Sequence, residues 1–174
     1  MKKFAVVLLT LIVAACAQAS VTVATFSNPS SSSSDSLFNV NWTTNTVTGG
    51  WADGEGGLNL EFVYSGNSFS DVWFEMSPVA ITAQLIPGVY GSTGGGVINF
   101  YQAGTTTDPL LTIQFDSAVI NTFVFGSDDA SFSGSQINLP MDEEQFSFAF
   151  ANITSSKGAF SATAAFDSSA IPEP

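Results

Sequence analysis

From residue 20 onward, apolar residues recur at every second position or in short runs, and Gly, Asn, Pro and Ser interrupt them every several residues. This is the period of β-strands, and no segment follows the 3.6-residue period of an amphipathic helix. Leu58, Leu60, Phe62 and Tyr64 alternate with Asn59, Glu61 and Val63. Phe146, Phe148 and Phe150 alternate with Ser147 and Ala149; Phe160, Ala162, Ala164 and Phe166 alternate with Ser161, Thr163 and Ala165. Such strands bury one face and wet the other. The five Phe of the last two segments therefore predict one shared core, with Ser147 and Ser161 turned away from it.

Further strands are predicted at 21–26, 37–43, 46–51, 71–76, 78–85, 97–101, 110–115, 119–125 and 132–139, with 78–85 the weakest. Thr44-Asn45 suits a tight turn, and Gly49-Gly50 a bulge or a close backbone approach. The segments around Asp108-Pro109 read as a hairpin, and the Ser-rich stretch 28–36 as a loop with nothing to bury. About ten short strands with frequent turns and no helix predict an all-β fold, an antiparallel β-sandwich or jelly roll, with a closed barrel as the alternative. A membrane-spanning barrel calls for strands of about ten residues and aromatic girdles, and most of these segments are shorter.

The N-terminus departs from this pattern. Lys2 and Lys3 precede an apolar run, Phe4 to Ala15, too short for a membrane span. Ala17-Gln18-Ala19 then sets small residues at the −3 and −1 positions of a cleavage site. Residues 1–19 are thus expected to be a secretory signal peptide, and the protein to work outside the cytoplasm. Val13-Ala14-Ala15-Cys16 offers a second route, because it is similar to a lipobox that would leave Cys16 as a lipidated N-terminus; the A-x-A site is the better formed.

Export changes the charge. Loss of Lys2 and Lys3 takes the net charge from −12 to −14 and leaves Lys157 as the one basic residue. The mature chain contains no Cys, His or Arg. That excludes disulfides, a Ser-His-Asp or Cys-His catalytic set and Cys- or His-ligated metals. Nucleic acid and anionic lipid are excluded as partners by charge, whereas calcium and neutral sugars are compatible with it. Repulsion among the carboxylates predicts a higher melting temperature near pH 5 than at pH 8.

Three groups of residues could carry chemistry. Asp53 and Glu55, in Asp53-Gly54-Glu55-Gly56, are the candidate calcium ligands, since carboxylates two apart between glycines can wrap a hard cation; a solvated turn is the plainer reading. Asp128-Asp129 and Asp142-Glu143-Glu144 read as exposed loop charge, the latter also as a guard against aggregation of the strand that follows. Trp51 and Trp73, with Glu75, are the candidates for stacking on a sugar ring. Trp42 is in phase with Phe38 and Val40 and reads as core. Trp73 is out of phase with Val72, Phe74 and Met76, which leaves it either open to a ligand or covered by a loop. No pair of carboxylates is marked for catalysis, so the chain reads as a non-enzyme.

The chain closes on Ser168-Ser169-Ala170-Ile171-Pro172-Glu173-Pro174. A linker of small residues running into Pro172, Glu173 and Pro174 resembles the start of the sorting tail of PEP-CTERM proteins. Members of that family are exported bacterial proteins whose tripeptide is followed by a hydrophobic span and a basic cluster. The resemblance implies recognition by exosortase-type sorting machinery where a full tail exists, and a place at the cell surface or in the extracellular matrix. It further implies that this chain, in which neither segment follows Pro174, is a truncated or processed form. The Lys- and Arg-poor, Phe-rich body also resembles that family's ectodomains, most of which have no assigned activity. The expected organisation is a signal peptide at 1–19, a β domain at 20–167 and a linker at 168–174. The expected role is structural or adhesive; the alternative is a module binding neutral extracellular polysaccharide, and, further off, a calcium-stabilised carbohydrate-active protein.

Overall fold

The structure, a computed structural model, describes residues 20–26, 36–51, 57–138 and 140–172. Twelve strands account for nearly all of them: β1 (Val21–Phe26), β2 (Phe38–Asn41), β3 (Thr46–Gly50), β4 (Leu58–Phe62), β5 (Asn67–Ile86), β6 (Tyr90–Thr93), β7 (Gly96–Gln102), β8 (Leu111–Phe115), β9 (Ala118–Asn121), β10 (Val124–Ser133), β11 (Met141–Ser156) and β12 (Ala159–Pro172). All pairings are antiparallel, in one continuous sheet. The all-β, antiparallel expectation holds.

The pairings reveal a simple path. Along one edge of β12 lies β2 and then β1; along one edge of β5 lies β4 and then β3. The other edge of β5 carries β7 and then β6, and β10 carries β9 and then β8 opposite β11. Each of these pairs of short strands occupies a single position in the sheet, end to end. The chain therefore goes up and down through eight positions, β1–β2, β3–β4, β5, β6–β7, β8–β9, β10, β11 and β12, and the last pairs with the first. The result is a sandwich whose layers are hydrogen-bonded to each other at both sides, in effect a flattened barrel. Closure gives every strand partners along both edges and removes the exposed sheet edges on which copies could pair.

Phenylalanine fills the interior. Phe26, Phe38, Phe62, Phe74, Phe100, Phe125, Phe148 and Phe166 are all fully buried. The ring of Phe148 has Phe38 and Phe166 at 4.9 Å, Phe74 at 5.8 Å, Phe26 at 6.2 Å and Phe125 at 6.4 Å, so it joins both walls of the barrel. An eight-stranded barrel encloses just enough space for side chains to fill. Phe146, Phe150 and Phe160 are buried in the same core, while Ser147 and Ser161 are on the outer side, as the alternation predicts.

Several boundaries differ from the sequence expectation. The strands number twelve rather than about ten, and four of them are long. Segments 71–76 and 78–85 are one strand, β5. Pro78 is tolerated inside it because the pairing to β7 stops at Met76 and that to β6 starts at Ile81, leaving a gap where no N–H is needed. Segment 119–125 divides into β9 and β10, because the Asn121 side chain accepts the N–H groups of Phe123 (2.7 Å) and Val124 (2.9 Å) and turns the chain. In segment 132–139, Phe132 and Ser133 end β10 and turns follow; Leu139 lies outside the described residues. Residues 168–172, expected to start a linker, complete β12: Ser168 is buried, its hydroxyl accepting from Ala24 N (3.0 Å) and donating to Ala24 O (2.9 Å). The Gly49-Gly50 expectation holds. The β3–β5 register shifts there, Gly50 has φ +102°, and a Cβ on it would run into the Phe74 carbonyl.

Candidate contact surface at the acid-free end

The two ends of the barrel differ in chemistry. Segments 38–49, 77–93, 117–127 and 150–166, which build one end, contain no Asp or Glu. Lys157, in the β11–β12 turn, stands at this end. Every carboxylate among the described residues lies toward the middle or at the other end, where Val21 and Ala170 also pair, close to both described chain termini.

Large apolar side chains reach solvent at the acid-free end. Phe123 is 73% exposed, Leu85 66%, Ile86 55% and Val89 46%. They sit on two neighbouring turns, since Ile86 pairs with Tyr90 and Tyr90 with Asn121. Neutral amides hold these turns. Gln84 Nε2 donates to Trp42 O (2.7 Å) and to Asn45 Oδ1 (2.6 Å), and Gln84 Oε1 accepts from Gly88 N (3.0 Å). One side chain thus ties the β5–β6 turn to the β2–β3 turn, while Asn121 fixes Phe123 in its outward place. Trp42 N donates to Gly158 O (2.9 Å), which anchors the Lys157 turn to the same rim. A shallow depression of about 220 Å³ between these turns is floored by Trp42 and Phe160.

The indoles proposed for sugar stacking offer no open face. Trp42, Trp51 and Trp73 are all buried. Trp73 lies on the outside of the barrel, as its phase requires, but Tyr101 stacks on it at 4.8 Å and its Nε1 donates to Thr105 O at 3.2 Å. The loop after β7 covers it. Glu75 is exposed and accepts a hydrogen bond from Tyr101 Oη at 3.2 Å; burial and the nearby Glu75 carboxylate raise the Tyr101 pKa. Trp51 is on the inner face, and its Nε1, like that of Trp42, has no hydrogen-bond partner among the described residues.

Glu144 corrects the reading of Asp142-Glu143-Glu144 as wholly exposed charge. It is 8% exposed, at a position where β10 and β11 are both bulged. Burial drives its pKa up to about 7; the hydrogen bond it accepts from Phe132 N acts the other way, and Asp142 adds to the rise. The period-2 phase with Phe146 and Phe148 was the available signal that Glu144 points inward. The signal for the acid-free end was also in the sequence, as four acid-free segments, but only the barrel shows that they meet.

Among the described residues no group of three or more His, Cys, Asp or Glu is placed to hold a metal ion. Asp53 and Glu55 lie outside the described residues, as do Cys16, Ala17, Ala19, Glu173 and Pro174; Pro172 ends β12, paired with Met141. A depression of about 360 Å³ on the outer wall is lined by four serines, by Ala118, Val119, Val124 and Phe146, and by Gln145 and Asp128. It holds no pairing of acid and base. Compared with known proteins, the chain matches no family model, no curated protein and no solved structure.

Proposed function

We propose that this chain is an exported, non-catalytic β-barrel serving as a surface or matrix component, adhesive through its acid-free end. The observation that carries this reading is the placement of the first and last described strand residues. Val21 and Pro172 both stand at the acid-rich end, opposite Phe123, Leu85 and Lys157. Any tether joined through either terminus, whether a lipidated Cys16 or a sorting tail beyond Pro172-Glu173-Pro174, would hold the acid-rich end and present the acid-free end outward. The Phe-packed interior supports a structural role, since side chains from both walls of the barrel meet in it. Fractionation of the source cells, with sequencing of the mature N-terminus, tests the proposal. Recovery outside the cytoplasm starting at Ser20 or Cys16 is expected; recovery in the cytoplasm with residues 1–19 intact overturns it.

A further inference from the structure

The outer wall is interrupted midway along β10. β9 stays in register with β10 as far as Val119 and Gly126, and β8 takes over only at Phe115 and Ala130. On the other edge, the pairing with β11 shifts between Ser127 and Ala130. Residues 127–129 are therefore out of register with both neighbours, and the depression of about 360 Å³ opens beside them. That is the size of a small-molecule site. Gly126 lines it without a side chain. A Cβ there would stand 2.5 Å from Phe146 O, so the depression cannot be filled from this position without moving β11.

Polar side chains reach the depression from four stretches of chain: Ser92 on β6, Ser117 between β8 and β9, Asp128 on β10, and Gln145 and Ser147 on β11. None of these five has a side-chain hydrogen-bond partner among the described residues. The amides of Gln84, Gln102 and Asn152, by contrast, are held within the protein. Val119, 39% exposed, and half-buried Val124 add apolar surface to the same lining.

The lining selects a class of ligand. It contains no cation, and Asp128 and the negative charge of the chain act against an anion. A cation would find one exposed carboxylate, and such a pair is worth little in water. An apolar ligand would leave three hydroxyls and an amide stripped of water without replacement. A neutral saccharide meets every part of the lining. Its hydroxyls both donate and accept, as Ser and Gln side chains require, and they donate to a carboxylate; its C–H face can rest on the two valines.

We infer that this depression is a binding site for a neutral saccharide, with Asp128, Gln145 and the surrounding serines taking its hydroxyls. The inference goes beyond the adhesive end and does not depend on it, since the depression is on the wall. The test is NMR titration of the exported protein, its mature N-terminus verified, with cellohexaose, xylohexaose and mannohexaose in turn. At least one is expected to bind, weakly because the site is shallow, and to shift the amides of Ser92, Val119, Gly126 and Ser147. The pair Asp128→Ala and Gln145→Ala should abolish those shifts with an unchanged melting temperature. Glu61→Gln, at a carboxylate in a different depression, should leave them unchanged.

Silence with all three oligosaccharides overturns the inference. So do shifts that map to other residues or survive the double substitution. Spermidine that shifts the same amides where the saccharides do not would also overturn it, and would assign the depression to a cation. The map on the parent decides the question even where a variant fails to fold. The fractionation result is separate: a secreted protein indifferent to saccharides refutes this site alone, and a cytoplasmic one refutes the surface role.

Discussion

At the acid-rich end of the barrel, loops fold over the outer wall: the segment after β7 covers Trp73, Tyr64 Oη donates to Gln136 O, and Gln102 Nε2 donates to Ser70 O at 2.7 Å. At the acid-free end the turns are short, and amides from Gln84 and Asn121 hold them while apolar side chains remain in solvent. Both ends share the same long strands and the same Phe core. The difference teaches that packing here leaves the surface chemistry of each end free to vary. The acid-rich end carries the charge and the first and last described residues; the acid-free end leaves apolar side chains in solvent.

The largest effect should come from breaking what both ends share. Phe148→Asp is expected to abolish the cooperative thermal transition, because an unpaired carboxylate among six Phe rings costs several kcal/mol. Ser147→Asp, on the outer face, should melt close to the parent. Equal loss in both would show that the outer face is packed as tightly as the inner one.

The next effect is confined to the acid-rich end. Glu144 retains its proton in the folded state up to about pH 7, against 4.5 for an unperturbed Glu. Between those values the folded state binds more protons than the unfolded chain, so stability falls as pH rises and levels off above about 7. The loss is on the order of 3 kcal/mol. Self-repulsion of the other carboxylates acts in the same direction, so the parent should melt higher at pH 5 than at pH 8. Glu144→Gln should remove most of that difference in thermal melts, and added salt should reduce the remainder. An unchanged slope in the Glu144→Gln variant would move the cause to the surface carboxylates.

Smaller changes sharpen the comparison. Tyr101→Phe removes the hydrogen bond to exposed Glu75 and should cost about 1 kcal/mol in urea unfolding. At the acid-free end, Leu85→Ser with Phe123→Ser should alter stability by less than about 0.5 kcal/mol, because both side chains are already in solvent. A larger loss would mean that the tip packs against the barrel and is part of the fold rather than a free surface.

Much of the fold was legible in residue order. The alternation at 58–64, 146–150 and 160–166 set which face each strand buries, and Asn45, Gly49 and Gly50 marked their turn and bulge. Less of the candidate surface was legible. Trp73 was correctly out of phase with the core, but the loop that covers it comes from a different part of the chain, beyond β7. Phe123 read as part of a continuous strand, because the Asn121 side chain that turns the chain there acts through a hydrogen bond that periodicity does not register.

What the sequence alone determined is therefore local: strand period, inward and outward faces, and the near absence of cations. These follow from side-chain spacing along a pleated backbone, where a slip of one residue would expose every Phe of a strand. Tertiary structure decided the rest. It joined short strands end to end into eight positions, carried β12 through residues 168–172, drew Glu144 into the bulged wall and gathered four acid-free segments at one end. Each of these depends on hydrogen bonds between strands far apart in the chain, and which distant strands pair is settled by barrel closure and core packing rather than by any property of a strand by itself.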